Sequence, residues 1–173
     1  MNSTRTASIQ HFISIVAVAL VASMMVFPGA STAAQGAKLT DGTSTETLAS
    51  VSVADGGGSR LVLLQIALEP GTTIRAHSHS GPAVFTVISG ALQTELIRGE
   101  AMVNRAGIEE AAEIGGMTYL YDGESIAFAP KAGVTIANQS DAPLLLVASI
   151  LLETNEPVFD YDYWQAPSRP NLQ

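Results

Sequence analysis

The feature that most constrains this chain is the stretch from Gly71 to Gly90, GTTIRAHSHSGPAVFTVISG. His77 and His79 lie in it with a single residue between them. Residues i and i+2 of an extended strand project to the same side, so the two imidazoles can reach one point in space. We therefore expect a strand that carries a histidine pair on one face.

The residues around this stretch alternate between apolar runs and turns made of Gly, Pro, Asn and Asp, without a long amphipathic helix. This pattern predicts an all-β sandwich or barrel. For 61–68 a helix is the alternative, although the run is short and stops abruptly at Pro70. Residues 99–116 favour a loop or one helical turn, with pairing of Val103 in a strand as the alternative. We expect strands at 48–54, 61–68, 72–79, 83–89, 91–98, 117–121, 125–129, 134–137 and 144–152.

The spacing of the first stretch resembles a motif of the cupin family. That motif reads Gly, five residues, His, one residue, His, three or four residues, Glu, six residues, Gly. Gly71, His77, His79 and Gly90 match it, and Ala83 stands where the glutamate belongs. The resemblance indicates a fold. It does not establish metal binding or catalysis, because the unmatched position is a metal ligand in the family.

A second stretch, GESIAFAPKAGVTIAN from Gly123, resembles the family's second motif. Pro130 and Gly133 keep its turn chemistry, whereas Ile136 stands where the motif has a histidine. With both motifs in order, the resemblance implies a cupin-type double-stranded β-helix, a jelly-roll barrel, over residues 48–152.

In the family, three histidines and one glutamate hold a divalent metal such as iron, manganese, nickel or zinc. The resemblance carries over only His77 and His79 as metal ligands, and hydrogen-bonded interior imidazoles are the alternative for this pair. Glu95, in a predicted strand of the same barrel, is the candidate third ligand, and Glu124 is a poorer one. For each glutamate a solvent-facing strand position is the alternative.

Arg75 shares the strand parity of His77 and His79, one step further along. A guanidinium is a poor neighbour for a metal cation and a good one for a carboxylate, phosphate or sulfate group. We therefore expect Arg75, His77 and His79 to bind a small anionic or polyhydroxyl ligand at the mouth of the barrel. The alternative is an Arg75 side chain that points to solvent from a strand end.

The sequence leaves two functions of different classes open. The missing ligands favour a non-catalytic barrel that binds a small ligand and keeps an incomplete metal site. The alternative is a metal-dependent cupin enzyme of dioxygenase, isomerase or decarboxylase type, with His77, His79 and an unconventional third ligand. The chain has no GxSxG elbow, no GxGxxG and no phosphate-binding loop.

Charge and composition narrow the partners. The net charge is −8, with 8 Lys and Arg scattered along the chain against 16 Asp and Glu, which argues against a nucleic-acid surface. The lack of cysteine excludes disulfides, thiolate metal sites and a catalytic thiol. Hydrophobic residues make up 47% of the 173 residues, enough for the core of one domain.

The first 34 residues predict a signal peptide. Arg5 precedes the apolar run FISIVAVALVASMMVF, which is shorter than the roughly 20 residues of a membrane span and is followed by small residues. We expect cleavage near residue 34 and export to the periplasm or the extracellular space, and an uncleaved N-terminal membrane anchor is the alternative. A flexible polar linker is expected over 35–47.

The C-terminal extension, 153–173, holds the aromatic cluster FDYDYW. We expect the extension to pack against the outside of the barrel or against a partner, with a ligand site as the alternative. Together with the apolar strand at 144–152, it offers a surface for a homodimer.

Overall fold

The computed structural model describes residues 40–53, 58–153 and 155–161, all within the compact unit Ala33–Gln173. The predicted signal peptide lies outside these residues, as do the start of the polar linker and the end of the C-terminal extension. Within the described ranges, no helix has the length and apolar character that crossing a membrane requires.

The described part of the chain is built from strands, turns and irregular segments and contains no helix. Every pair of neighbouring strands is antiparallel. The prediction of an all-β fold is therefore confirmed. The strands are β1 (Thr43–Ser52), β2 (Ser59–Leu68), β3 (Thr73–His77), β4 (Ala83–Ser89), β5 (Leu92–Arg98), β6 (Ala101–Arg105), β7 (Ile108–Ala111), β8 (Met117–Leu120), β9 (Ser125–Phe128), β10 (Gly133–Ala137) and β11 (Leu144–Glu153).

The strands form two sheets that share one hydrophobic core. The larger sheet has seven strands in the order β1-β2-β11-β4-β9-β6-β7, and the smaller has four in the order β3-β10-β5-β8. Buried and exposed residues alternate along the central strands, as in β2 and β11, and the buried residues of both sheets join one cluster. Two antiparallel sheets packed in this way form the double-sheet, jelly-roll type of barrel.

Strand β1 begins at Thr43, within the predicted polar linker, and its side chains are almost all exposed. Residues 43–47 are ordered by backbone pairing with β2, which runs from Thr43 opposite Leu68 to Ser52 opposite Arg60. A strand with no buried face lacks the alternation from which strands are predicted. For this reason the sequence placed the start of the strand five residues too late.

Residues 99–116 contain a hairpin, β6 to β7, where the sequence favoured a loop or a helical turn. Ala106 and Gly107 form its turn with φ angles of 51° and 84°. Such a turn is usually marked by Asn-Gly or Asp-Gly, and alanine rarely takes a positive φ. Here the Asn104 side-chain oxygen accepts a hydrogen bond from the Gly107 backbone N–H at 3.1 Å and supports the turn.

A bulge in β3 decides which side chains face the core. His77 is opposite Val134 and Ile74 is opposite Ile136, so three steps along β3 match two steps along β10. Ile74 and His77 are both buried as a result, and Arg75 is exposed. The prediction that Arg75 and His77 share one face is therefore wrong, because it assumed unbroken alternation.

Candidate functional site

The structure brings His77 and His79 together at the end of β3, and we call them the histidine pair. Their ring centroids are 5.1 Å apart with an interplanar angle of 78°. Their exposed fractions are 0% and 2%. Two adjacent imidazoles with this degree of burial are costly unless their polar atoms have partners.

One nitrogen of each imidazole has a backbone partner. His77 Nδ1 lies 2.8 Å from the carbonyl oxygen of Arg75, and His79 Nδ1 lies 2.5 Å from the carbonyl oxygen of Val158. Since a carbonyl oxygen can only accept a hydrogen bond, each Nδ1 carries a proton and donates it. The tautomer of both rings is thereby fixed, with the proton on Nδ1.

The other nitrogen of each imidazole has no partner. Both Nε2 atoms are buried and have no hydrogen bond within the described part of the chain. In the neutral ring with the proton on Nδ1, Nε2 has an unshared lone pair. The site thus presents two lone pairs side by side, which can accept hydrogen bonds or coordinate a cation.

The charge state of the pair follows from its surroundings. Burial, together with repulsion from His79, lowers the pKa of His77 from 6.5 to about 3. Burial lowers the pKa of His79 to about 4, and the hydrogen bonds to the backbone carbonyls oppose the shift in both rings. Both imidazoles are therefore neutral at pH 7.

Apolar residues surround the pair on the barrel side. The Phe85 ring lies 5.7 Å from that of His79, centroid to centroid. Ala83 and Ile136, which replace two ligands of the cupin motifs, are 1% and 0% exposed and belong to the same core. The mostly apolar interior that the sequence predicts is what the structure has.

Residues 155–161, which we call the C-terminal strap, cover the histidine pair. Ser78 N–H donates to Asp160 O at 3.0 Å, and Asp160 N–H donates to Ser78 O at 2.9 Å. This bridge places the Phe159 ring 5.1 Å from His77 and 5.7 Å from His79, centroid to centroid. Phe159 is 6% exposed and joins the core, so the strap closes the site rather than packing on the outside of the barrel.

Arg75 lies over the strap and not beside the imidazole nitrogens. Its guanidinium carbon is 4.5 Å from the centroid of the Tyr161 ring, a cation–π contact. Tyr161 in turn stacks on Phe159 at 6.2 Å with an interplanar angle of 18°. The predicted joint site of Arg75 with His77 and His79 is therefore not formed, because the β3 bulge turns the arginine outward.

Neither candidate third ligand reaches the histidine pair. Glu95 lies between the buried Thr94 and Leu96 of β5, so its side chain faces away from the core. Glu124 instead lies 3.5 Å from Arg105 in an ion pair and accepts a hydrogen bond from the Tyr121 backbone N–H. In residues 40–53, 58–153 and 155–161, no three His, Cys, Asp or Glu side chains group as a metal site would require.

The residues present therefore do not fit the divalent metal centre that the cupin resemblance implies. That centre needs four ligands with one carboxylate, and the described site offers two neutral imidazoles in an apolar wall. A divalent ion would be buried there without compensating charge from the protein.

A polar depression borders His79 beside the strap. Its lining includes His79, Ser80, Lys131, Glu153, Glu156 and Asp160. The carboxylates outnumber the single lysine, so the depression attracts cations. Of the histidine pair, only His79 lines it.

Sequence reasoning missed the parts of the site that the strap supplies, the Val158 carbonyl and the Phe159 ring. The FDYDYW cluster signalled that this segment docks somewhere, and two of its rings, Phe159 and Tyr161, lie against the imidazoles. The Val158 carbonyl left no signal, because every residue has one.

No model of a known protein family matches the chain, and neither does any curated protein. Among solved structures, the chain is similar to a conserved protein of unknown function from Streptococcus pyogenes, with 15% identity and a TM-score of 0.44 over 64% of this chain and 74% of that one. It is also similar to oxalate decarboxylase from Lactobacillus farciminis in a formate complex, with 13% identity and a TM-score of 0.44 over 71% of this chain and 31% of that one.

A third similarity is to salicylate 1,2-dioxygenase from Pseudoaminobacter salicylatoxidans in adducts with gentisate, with 18% identity and a TM-score of 0.45 over 67% of this chain and 26% of that one. Both enzymes are cupin-fold proteins. The chain spans less than a third of the length of either enzyme.

Proposed function

We propose that this chain is a non-catalytic cupin-type barrel that binds a small guest at the histidine pair. The guest is one that donates hydrogen bonds to these lone pairs, such as a polyhydroxyl group. The observation that carries the proposal is the pair of buried Nε2 atoms without partners, each on a ring whose Nδ1–H is already engaged.

Energetics favour a guest over a vacant pair. A buried acceptor without a partner costs about 1–3 kcal/mol. Apolar residues on the neighbouring strand β10 are equally buried and carry no such cost, because they have no polar atoms. A guest that donates to Nε2 removes the cost and so binds with a favourable contribution.

The same geometry disfavours an anionic guest. Neutral imidazoles with the proton on Nδ1 turn a lone pair toward the guest, and a lone pair repels an anion. The guanidinium that would have attracted an anion is exposed over Tyr161. Of the two ligand classes predicted from the sequence, the polyhydroxyl ligand therefore fits the histidine pair and the anionic ligand does not.

The proposal of a non-catalytic role rests on the acid–base properties of the pair. An efficient general base has a pKa near the working pH, and the pKa values of about 4 and about 3 make the imidazoles weak bases. In the described residues no carboxylate stands close enough to form a site with them.

The proposed setting is the periplasm or the extracellular space, and it rests on the N-terminal sequence pattern. Protein recovered from the exported fraction with its N-terminus near residue 35 would support this setting. An intact N-terminus in the membrane fraction would favour the anchored alternative. The homodimer predicted from the sequence is part of the same proposal. A monomer in light scattering would contradict the homodimer.

The test is a thermal-shift panel with elemental analysis, carried out on the wild type and on a His77→Phe/His79→Phe variant. The variant keeps an aromatic ring at each position but removes the ring nitrogens and their lone pairs. We expect a polyol such as sorbitol to raise the Tm of the wild type only, with no effect from phosphate or acetate. Stabilisation by the anions, or by no compound in the panel, would contradict the proposal.

The elemental analysis addresses the enzyme alternative. If the purified wild type carried close to one equivalent of iron, manganese, nickel or zinc, and the double variant carried none, a metal-dependent enzyme would be the better account.

A further inference from the structure

We propose that two copies of this chain associate through the outward face of the seven-stranded sheet, which we call the apolar face. The inference rests on the homodimer of the proposed function, since it names the surface through which that homodimer forms. It does not depend on a guest at the histidine pair, because those imidazoles are buried on the core side of the barrel.

The outward positions of strands β2 and β11 are apolar. Buried residues alternate with more exposed ones along both strands, so Leu61 and Leu63 on β2, and Leu145, Val147 and Leu151 on β11, point away from the core. In a two-sheet fold such positions are usually polar. Strand β11 lies between β2 and β4, so it offers a partner its face and not an edge.

The apolar face continues across the sheet. The strand registers align one outward row across five strands, in the order Leu63, Ser149, Val84, Ala127 and Met102. Val84 and Met102 are 41% and 42% exposed, and Ile88, on the same side of β4, is 49% exposed. Exposed apolar surface that is continuous in this way marks an interaction site.

Charged side chains lie at the rim of the apolar face. Among the outward-facing residues within 61–67, 84–88, 125–127 and 145–151, none is charged. Glu46 on the edge strand β1, Glu109 on the opposite edge strand β7 and Glu153 at the last position of β11 form the periphery. An uncharged centre with a polar rim is the composition of a protein–protein interface.

The smaller sheet has the opposite composition on the outward face of three of its strands. There β3 presents Thr73 and Arg75, β5 presents Gln93 and Glu95, and β10 presents Thr135. Both sheets pack on the same core, so the demands of that core do not explain the difference. The apolar composition is a property of the larger sheet alone.

The partner that fits this face is a second copy of the chain. Each copy has a net charge of −8, and an uncharged face lets two copies meet without opposing like charges. A flat apolar face is also complementary to itself about a two-fold axis. A lipid surface fits less well, because membrane-binding faces are bordered by Lys and Arg, whereas Glu46, Glu109 and Glu153 border this one.

The size of the face suits a dimer. The six strands from β1 to β6 in the sheet order span about 24 Å, and the residues from Leu145 to Leu151 span about 20 Å. These dimensions give about 500 Å² for each copy and about 1,000 Å² for two, which reaches the area that a specific interface requires.

The first experiment is sedimentation equilibrium of the full chain with matched lysine substitutions. Val84→Lys places a charge at the centre of the apolar face, and Met117→Lys places one on the smaller sheet at a residue that is 51% exposed. We expect the wild type to be a dimer, the dimer Kd of Val84→Lys to rise about 10-fold or more, and that of Met117→Lys to stay near the wild-type value. Equal effects of the two substitutions, or none, would overturn the inference.

The second experiment identifies the occupant of the face and uses the lack of cysteine in the chain. Ser149→Cys places a single thiol at the centre of the apolar face, and Thr135→Cys places one on the outward side of the smaller sheet. With a bismaleimide cross-linker we expect a covalent dimer from Ser149→Cys and much less from Thr135→Cys. A monomeric Ser149→Cys would overturn the inference. Slow reaction of its thiol with a soluble maleimide would then mean that another segment of the chain covers the face, and fast reaction that nothing does.

The failures are distinguishable. A dimer that Val84→Lys leaves intact keeps the homodimer and removes this inference, whereas a monomeric wild type removes both. The binding function is measured separately, because we expect sorbitol to raise the Tm of Val84→Lys as much as that of the wild type.

Discussion

Strands β3 and β10 lie side by side and each places fully buried side chains in the core, but the chemistry of those side chains differs. On β10, Val134 and Ile136 are 0% exposed and apolar. Opposite Val134 on β3 stands His77, also 0% exposed, with one ring nitrogen that has no partner. The comparison shows that this barrel can pack an apolar side chain at this depth. Packing alone therefore does not explain why a polar imidazole is buried there.

The largest expected effect is on the pH dependence of stability. Because burial lowers the folded-state pKa of His77 to about 3 and of His79 to about 4, the unfolded state takes up protons first as the pH falls below 6.5. Stability is therefore complete above pH 6.5 and falls by about 1.4 kcal/mol per pH unit for each histidine until the folded-state pKa values are reached.

Urea unfolding between pH 7 and pH 4.5 measures this effect, with the His77→Phe/His79→Phe variant as the control. We expect the wild type to lose about 5 kcal/mol more than the variant over this range. Parallel curves for the two proteins would mean that the imidazoles are not held neutral.

The β10 side of the comparison predicts a cavity cost. Ile136→Ala removes fully buried methyl and methylene groups, and we expect a loss of about 2–5 kcal/mol in the free energy of unfolding. Urea denaturation of the metal-free protein measures it. His77→Phe, at the same depth on β3, is the counterpart, and we expect less than about 1.5 kcal/mol of change because it removes an unsatisfied acceptor while keeping ring volume. A larger loss for His77→Phe than for Ile136→Ala would reverse the comparison.

The strap predicts a change in the imidazoles themselves. Phe159→Ala removes the ring that covers both histidines, so water reaches them and their pKa values rise toward 6.5. Histidine proton shifts followed by NMR over a pH titration measure this rise. Tyr161→Ala, which leaves Phe159 in place, is the control and should shift the values less. Unchanged pKa values in Phe159→Ala would mean that the strap does not shield the pair.

The smallest effect is expected at Arg75. Its contact with Tyr161 is an exposed cation–π interaction, worth about 0.5–1 kcal/mol. Arg75→Ala should lower the Tm slightly. Arg75→Lys, which keeps the cation, should lower the Tm by less than Arg75→Ala. A large effect of Arg75→Ala on polyol or metal binding would instead mean that Arg75 belongs to the binding site.

The sequence predicts the fold well where strands are half buried. The alternation in β2 and β11 and the glycine and proline turns place most strands correctly. The first five residues of β1, and strand β7, lie on exposed strands and were assigned to linker and loop, because burial leaves no pattern in them.

The site was predictable only in part. The spacing of His77 and His79 brought the two rings together in the prediction as it does in the structure. The bulge that turns Arg75 outward has no local signature, since the residues around it alternate as a regular strand would. The Val158 carbonyl lies 79 positions from His79, and such a backbone contact depends on tertiary structure alone.

The central claim is that the histidine pair is neutral, with both protons on Nδ1 and both Nε2 lone pairs unshared. Long-range nitrogen–proton correlation NMR on the nitrogen-15-labelled, metal-free protein at pH 7 tests it directly. The account predicts a protonated Nδ1 and an unprotonated Nε2 for His77 and His79. A protonated Nε2 in either ring, or an imidazolium, would contradict it.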